Sequence, residues 1–267
     1  MGARLGGMFI NWPSGSCMRV GIVGGGTMGS WLKREMTSLH EVRIFDVDKS
    51  RSDVGSLEEL ALWAEALIVA VPFWETSGVL KALAPLSRGR LVMDIATFKE
   101  GVVETYGLFP QDALVATVHP LFGPGASSIR GQRVLIMAVP GRRGAEEAFR
   151  FWSELGARAE WGELEKHDFY VSRTIALSYA VGLALARLYG ELGDEVFKYG
   201  GTSFKYLATY AFSLLRDPNA AKYAEKAPID EFIGFLKRED APKALIDPDA
   251  AYRAFYKALE AMGEIQR

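Results

Sequence analysis

Three histidines and one cysteine are all the imidazole and thiol this 267-residue chain contains. No metal site is read from the sequence. One histidine, His119, stands in TVHPLFGPGA (residues 117–126), after a β-type run and before a Pro- and Gly-rich turn. A neutral imidazole there could take a proton at physiological pH, because the ordinary pKa of histidine is about 6.5. The competing reading is a turn histidine bonded to backbone.

A second stretch has chemistry of a different kind. From Met18 the chain reads MRVGIVGGGTMGSWLKREM, a β-branched strand running into Gly24, Gly25, Gly26, Thr27, Met28 and Gly29 and then an amphipathic helix. The next strand, VRIFDVD, carries Asp46, 22 positions after Gly24. Gly24 permits a tight turn, Gly26 lets backbone approach a pyrophosphate, and Gly29 lets the helix pack on the strand. The helix start at Thr27 and Met28 offers N–H groups to phosphate. Asp46 is placed to accept hydrogen bonds from ribose hydroxyls and to repel a 2′-phosphate. The unit therefore reads as a dinucleotide site for NAD. NADP is the alternative, because Lys49 and Arg51 follow closely.

These groups need a scaffold, and the pattern supplies one. Apolar runs at 66–73, 91–98, 113–120 and 133–140 alternate with helical segments, which argues for an α/β, doubly wound, mostly parallel sheet of Rossmann type. Ligands bind such sheets at the carboxyl ends of strands, where Val71, Pro72, Asp94, Thr97 and His119 fall. The expected organisation is an extension over 1–17, a dinucleotide-binding domain over 18–160 and an all-helical domain over 161–267.

Composition sets the outer bounds. The chain is 49% apolar and 24% charged with a net charge of −2, a soluble globular profile without the charge excess of a nucleic-acid or membrane-surface binder. Cys17 alone forms no intrachain disulfide, in keeping with a reducing cytoplasm. The stretch TIALSYAVGLALA (174–186), bracketed by Arg173 and Arg187, reads as too short to span a bilayer and as a buried helix.

GIVGGGTMG, AVP at 70–72, DIATFKE at 94–100, HPLFGP at 119–124 and EKHD at 165–168 occur in an order that resembles the prephenate dehydrogenases, including arogenate dehydrogenases, of tyrosine biosynthesis. The resemblance runs from Met18 to about Pro218. It implies an NAD(P)-linked enzyme with a Rossmann domain and a helical domain that forms a homodimer. It implies that His119 takes the proton of the ring hydroxyl and that Thr97 touches substrate or nicotinamide. Asp94 and Lys99 come from the same element, with Asp94 toward the cofactor and Lys99 toward the substrate. His167 would open the second domain and face the substrate.

The second half departs from that pattern. A histidine expected about twelve positions after His167 is replaced by Tyr179, beside Ser178. The family's carboxylate-binding arginine is missing from GGTSFKYLATYAFSLLRDP (200–218), which offers Lys205. A dicarboxylate still needs cations. Arg173 is the leading candidate, followed by Lys205 and then Arg130 or Arg133. His40 reads as a surface residue.

The resemblance thus implies oxidative decarboxylation of prephenate to 4-hydroxyphenylpyruvate, with arogenate as the alternative substrate. Two further readings are a β-hydroxyacid-type dehydrogenase and a dinucleotide-binding dimer without catalysis. The first is disfavoured by the lack of a lysine within the helix that begins KHDFYVSRTIALSY.

Overall fold

The computed structural model describes residues 15–262, so most of the expected N-terminal extension lies outside the described residues. The chain divides into two compact units, Met1–Asp168 and Phe169–Arg267. The first unit therefore includes residues 161–168, which the sequence reading gives to the helical domain.

The first unit runs β1 (Arg19–Val23), α1 (Thr27–Met36), β2 (Glu41–Phe45), α2 (Leu57–Trp63), β3 (Ala66–Val69), α3 (Phe73–Leu83), β4 (Leu91–Asp94), β5 (Leu114–Pro120), β6 (Arg133–Ala138), α4 (Ala145–Glu154), β7 (Arg158–Trp161) and the first residues of α5 (Leu164–Val171). Its strands form one seven-stranded sheet in the order β2-β1-β3-β4-β5-β6-β7. The central strands are apolar on both faces because helices cover both. Val20, Ile22, Ile68, Met93, Ala116 and Val118 face one side with Trp31 and Leu32 of α1 and Trp152 of α4. Leu67, Val69, Val92 and Val115 alternate to the other side, against Leu60 of α2 and Leu80 and Leu83 of α3. Each fully buried side chain of this size contributes about 1.5–3 kcal/mol.

Two features of the sheet differ from a plain parallel reading. β6 runs antiparallel to β5, with Pro120 opposite Val134 and Ala116 opposite Ala138. An apolar run such as RVLIMA fixes burial and not direction, so sequence periodicity does not reveal the reversal. The consequence is local. The chain leaving His119 turns over the carboxyl end of β5 and re-enters the sheet at once. The seventh strand, β7, is short and partly exposed, and nothing in RAEW announces it.

The loop after His119 is fastened to α1. Trp31 Nε1 donates to Ala126 O at 3.0 Å, the Ile129 amide donates to Glu35 Oε2 at 3.0 Å, and the Trp31 and Phe122 rings lie 5.3 Å apart.

The second unit is helical: α6 (Leu177–Leu192), α7 (Glu195–Tyr199), α8 (Thr202–Ser213), α9 (Ala220–Ala224), α10 (Ile229–Leu236) and α11 (Pro248–Met262). A π-turn over Ser172–Ala176 leads into α6. Helical residues from Leu164 to Leu192 make a 29-residue run, apolar and long enough by composition to cross a bilayer. The sequence reading, confined to the apolar core at 174–186, made this helix too short. It is only partly buried, not the buried helix expected from the sequence, though within its unit a Cβ on Gly182 would come within 2.5 Å of Leu214 and 2.9 Å of Tyr210.

The glycine turn gives a direct test of the packing. Gly24 has φ +108° and a Cβ there would lie 2.6 Å from Ala70 O, while a Cβ on Gly29 would strike the Gly24 carbonyl. Gly26, by contrast, has open space around its Cα. Gly29→Ala should cost about 1–3 kcal/mol through backbone displacement, roughly 2–4 °C of melting temperature per kcal/mol. Gly26→Ala should leave the melting temperature within a degree or so of the parent, and comparing the two melts checks this.

Candidate functional site

The glycine turn joins β1 to α1 and is built to leave donors unpaired. Gly24 N donates to Phe45 O at 2.8 Å and Ala70 N to Val23 O at 2.8 Å, which pins the turn between β2 and β3. No side chain caps α1 and no acidic residue stands in its first turn. Its leading amides, at Thr27 and Met28, therefore keep the capacity to bind an anion. Asp46 follows β2 and is half-buried. Its Oδ2 accepts from the Gly25 amide at 2.6 Å and its Oδ1 from the Asp48 amide at 2.8 Å. A carboxylate has about four acceptor sites, so Asp46 can still accept from vicinal hydroxyls. Val71 and Pro72 follow β3 and lead into α3, with the Val71 side chain 3.0 Å from a Cβ on Gly24. Lys49 donates to Gly55 O at 2.6 Å and Arg51 pairs with Asp48 at 3.1 Å, both at exposed positions. Open room at Gly26, free amides at α1 and an acceptor at Asp46 fit a dinucleotide.

The second cluster grows from the ends of β4 and β5. Lys99 is 3% exposed, and its ammonium donates to Asp94 Oδ1 and to Val118 O, each at 2.7 Å. Asp94 has no exposed surface, and its other oxygen accepts from the Tyr106 hydroxyl at 3.0 Å. The Lys99 and Glu100 amides donate to the Asp168 carboxylate at 2.8–3.0 Å. Asp168 Oδ1 lies 2.6 Å from His167 Nδ1, and His167 Nε2 lies 2.9 Å from His119 Nδ1. A chain of contacts thus runs Asp168–His167–His119, with Lys99 beneath it.

Electrostatics favour a neutral His119. Burial, then the Lys99 ammonium and the His167 ring, hold its pKa well below the ordinary histidine value, and Asp168 acts the other way. Burial works against ionisation of Asp168, but hydrogen bonds from His167 and from the Lys99 and Glu100 amides keep its carboxyl below the usual range. Burial also lowers Lys99, opposed by Asp94.

Several expected roles change in this light. Asp94 is enclosed by protein, so it supports Lys99 and Ala96 N in place of a cofactor contact. Lys99 directs its ammonium inward and not to a substrate. His167 has both ring nitrogens engaged and none left for the substrate contact the resemblance implies. It also belongs to the first unit, because Asp168 beside it is bonded to the β4 loop. Thr97 lies half-buried in the bend between Asp94 and Lys99. Arg173, the leading cation candidate, is already paired with Glu231 at 2.5 and 3.1 Å and stacked on Phe169. Tyr179 donates to Asp217 at 3.3 Å, and burial and that carboxylate raise its pKa. Lys205, half-buried on α8, makes no ion pair among the described residues. Arg133 is paired with Glu160 at 2.8 Å, and Arg130 is exposed. His40 is not on the surface: it is 7% exposed, stacked on Phe151, with burial lowering its pKa.

Sequence reasoning missed Asp168 and Tyr106. For Asp168 a signal was present: an imidazole at a reactive site needs an orienting partner, and the residue after His167 is an acid. Tyr106 gave none, since its short helical segment at Val103–Leu108 has no motif.

Comparison with known proteins bears on the first unit most. Residues 37–159 match the model of the prephenate dehydrogenase nucleotide-binding domain. A probable arogenate/prephenate dehydrogenase of Methanocaldococcus jannaschii is 29% identical over 52% of this chain and 32% of its own length. The T-protein of Enterobacter agglomerans is 31% identical over 62% of this chain and 44% of its own. The chain thus spans less than half of either curated relative. Prephenate dehydrogenase from A. aeolicus, solved with hydroxyphenyl propionate and NAD+, superposes with a TM-score of 0.63 at 20% identity, covering 92% of this chain and 95% of that one. That likeness shows the fold: an α/β Rossmann-like sheet followed by helices.

The depressed His119 makes stability depend on pH. Below about pH 6.5 the unfolded chain binds a proton that folded His119 does not, so stability falls as pH falls. The loss through this residue is about 1.4 kcal/mol per pH unit until the folded pKa is reached. Urea unfolding at about pH 7.5 and about pH 5.5 should show a smaller acid loss in His119→Asn than in the parent.

Proposed function

We propose that this chain, which belongs to the prephenate/arogenate dehydrogenase family, oxidises and decarboxylates prephenate to 4-hydroxyphenylpyruvate with His119 as the base. The observation that carries the reading is a buried, neutral imidazole at the carboxyl end of β5, in the same unit as an uncapped glycine turn with its acidic partner. Gly24, Gly26, Thr27, Met28, Gly29, Asp46, Val71 and Pro72 hold the dinucleotide, which accepts hydride from the ring carbon. Asp46 at the ribose position favours NAD over NADP.

His119 removes the proton of the C4 hydroxyl, so the developing carbonyl does not accumulate positive charge. With C4 oxidised, the C1 carboxylate is vinylogous to a β-keto acid and leaves as carbon dioxide, and aromatisation drives the step. The protein has only to place that carboxylate. Thr97, in the loop beyond β4, contacts substrate or nicotinamide. Of the cations expected for the carboxylates, Lys205 ranks ahead of Arg173, which would have to leave Glu231. Asp94 and Lys99 act by holding the β4 and β5 ends together. The chain works as a cytoplasmic homodimer, and Phe235, Leu236 and Tyr252, exposed by 56, 70 and 63%, give the helical unit the apolar surface for it.

NADH formation at 340 nm with prephenate, and separately with arogenate, tests the reading directly, each with NAD and NADP. Turnover of prephenate with NAD is the expected result. Turnover of arogenate alone would change the substrate, and none with either would remove the assignment. His119→Asn should lower kcat by about 10²–10⁴-fold with NAD affinity intact.

A further inference from the structure

His119 presents a difficulty as a base. It is 3% exposed and faces the Lys99 ammonium, and both conditions oppose an added positive charge. A group so placed stays unprotonated, as a base must, but it holds an abstracted proton poorly. The contacts behind it answer this.

Asp168 accepts three donors. Two are the amides of Lys99 and Glu100, which can only donate, and the ionised carboxylate can only accept. The 2.6 Å contact to His167 therefore places a proton on His167 Nδ1. With that single proton on Nδ1, His167 has a lone pair at Nε2. The 2.9 Å contact from His119 requires one proton, and it must come from His119 Nδ1. His119 Nε2 is left unprotonated. The tautomer of the base thus follows from backbone amides two residues' contacts away.

Resting on the functional reading above, we infer that His167 and Asp168 are positioning residues that fix His119 as the Nδ1–H tautomer and take up the charge it acquires. When the substrate hydroxyl gives its proton to His119 Nε2, the Nδ1 proton of His119 passes to His167 Nε2. His119 is again neutral, now protonated at Nε2. The imidazolium is His167, which lies against the Asp168 carboxylate at 2.6 Å. The charged and titratable groups around the pair are Lys99, Asp94 behind it, and Asp168. Lys99 repels charge on His119, and Asp168 attracts it to His167. Reversal of the two transfers returns the proton to solvent or product.

The test uses the full-length protein with 15N-labelled histidine. At about pH 7.5, long-range 1H–15N spectra should show His119 and His167 both protonated at Nδ1 and bare at Nε2. A His119 protonated at Nε2 overturns the inference, and this arm needs no turnover. Kinetics provide the second arm. His167→Gln keeps an oxygen that can accept the His119 Nδ1 proton but cannot carry a proton away. It should leave the His119 tautomer unchanged and lower kcat by about 10²-fold, with KM changed less than about threefold. Full kcat in His167→Gln overturns the charge transfer. Asp168→Asn should lower kcat and move the acid limb of kcat/KM to lower pH, because the charged pair loses its counterion. A fall in kcat with an unmoved limb would mean that Asp168 serves only to hold the loop. Should Asp168→Asn fail to fold, the His167→Gln result decides. Absence of turnover in the parent with either substrate sinks the functional reading alone, and the tautomers are still read from the spectra.

Discussion

The buried pair between Lys99 and Asp94 is the contact on which the rest of the first unit's chemistry depends. Its partners are 2.7 Å apart and 3% and 0% exposed, so desolvation works against it at full strength. It stands because every demand is met locally. Asp94 has the Ala96 amide and the Tyr106 hydroxyl as further donors, and Lys99 has the Val118 carbonyl as a second acceptor. Through these bonds one side chain ties the end of β4 to the backbone beside His119. The amides on and after Lys99 then seize Asp168. Position and charge at the base both depend on this single buried ion pair.

Such an arrangement is costly to build and stiff once built. Removing either member would leave a charge without its partner in a water-free setting, which typically costs about 3–5 kcal/mol. The stiffness has a use. His167, with both ring nitrogens engaged, cannot rotate without breaking a contact to Asp168 or to His119.

The elements that carry local signals were legible in the chain. Gly24, Gly29 and Asp46 occupy the places their spacing assigns, because a turn, a close helix and a strand end are local demands with residue-specific answers. His119 at the end of β5 follows from a run of β-formers. What was not legible depends on partners distant in sequence. His40 stands between Leu39 and Glu41, both exposed, and reads as exposed itself, but the ring that covers it, Phe151, arrives on α4. His167 and His119 are 48 positions apart, and no periodicity links them. Arg173 looked available because Glu231, which pairs with it, lies 58 residues on. The direction of β6 was hidden for another reason: apolar runs of either direction look alike.

The fastening of the His119 loop to α1 has a consequence for how this sequence can drift. Most of the helix is already committed. Gly29 must stay small beneath the turn, Leu32 and Met36 are in the core, and Trp31 and Glu35 hold the loop at Ala126 and Ile129. Lys33 reaches Asp53, which in turn accepts from Ile44 N. Arg34, exposed and paired among the described residues only with its neighbour Glu35, is a position where a side chain can change at little cost. Among descendants of this chain, α1 should therefore vary least of the helices in its unit, and its tolerance should be confined to one narrow outward stripe.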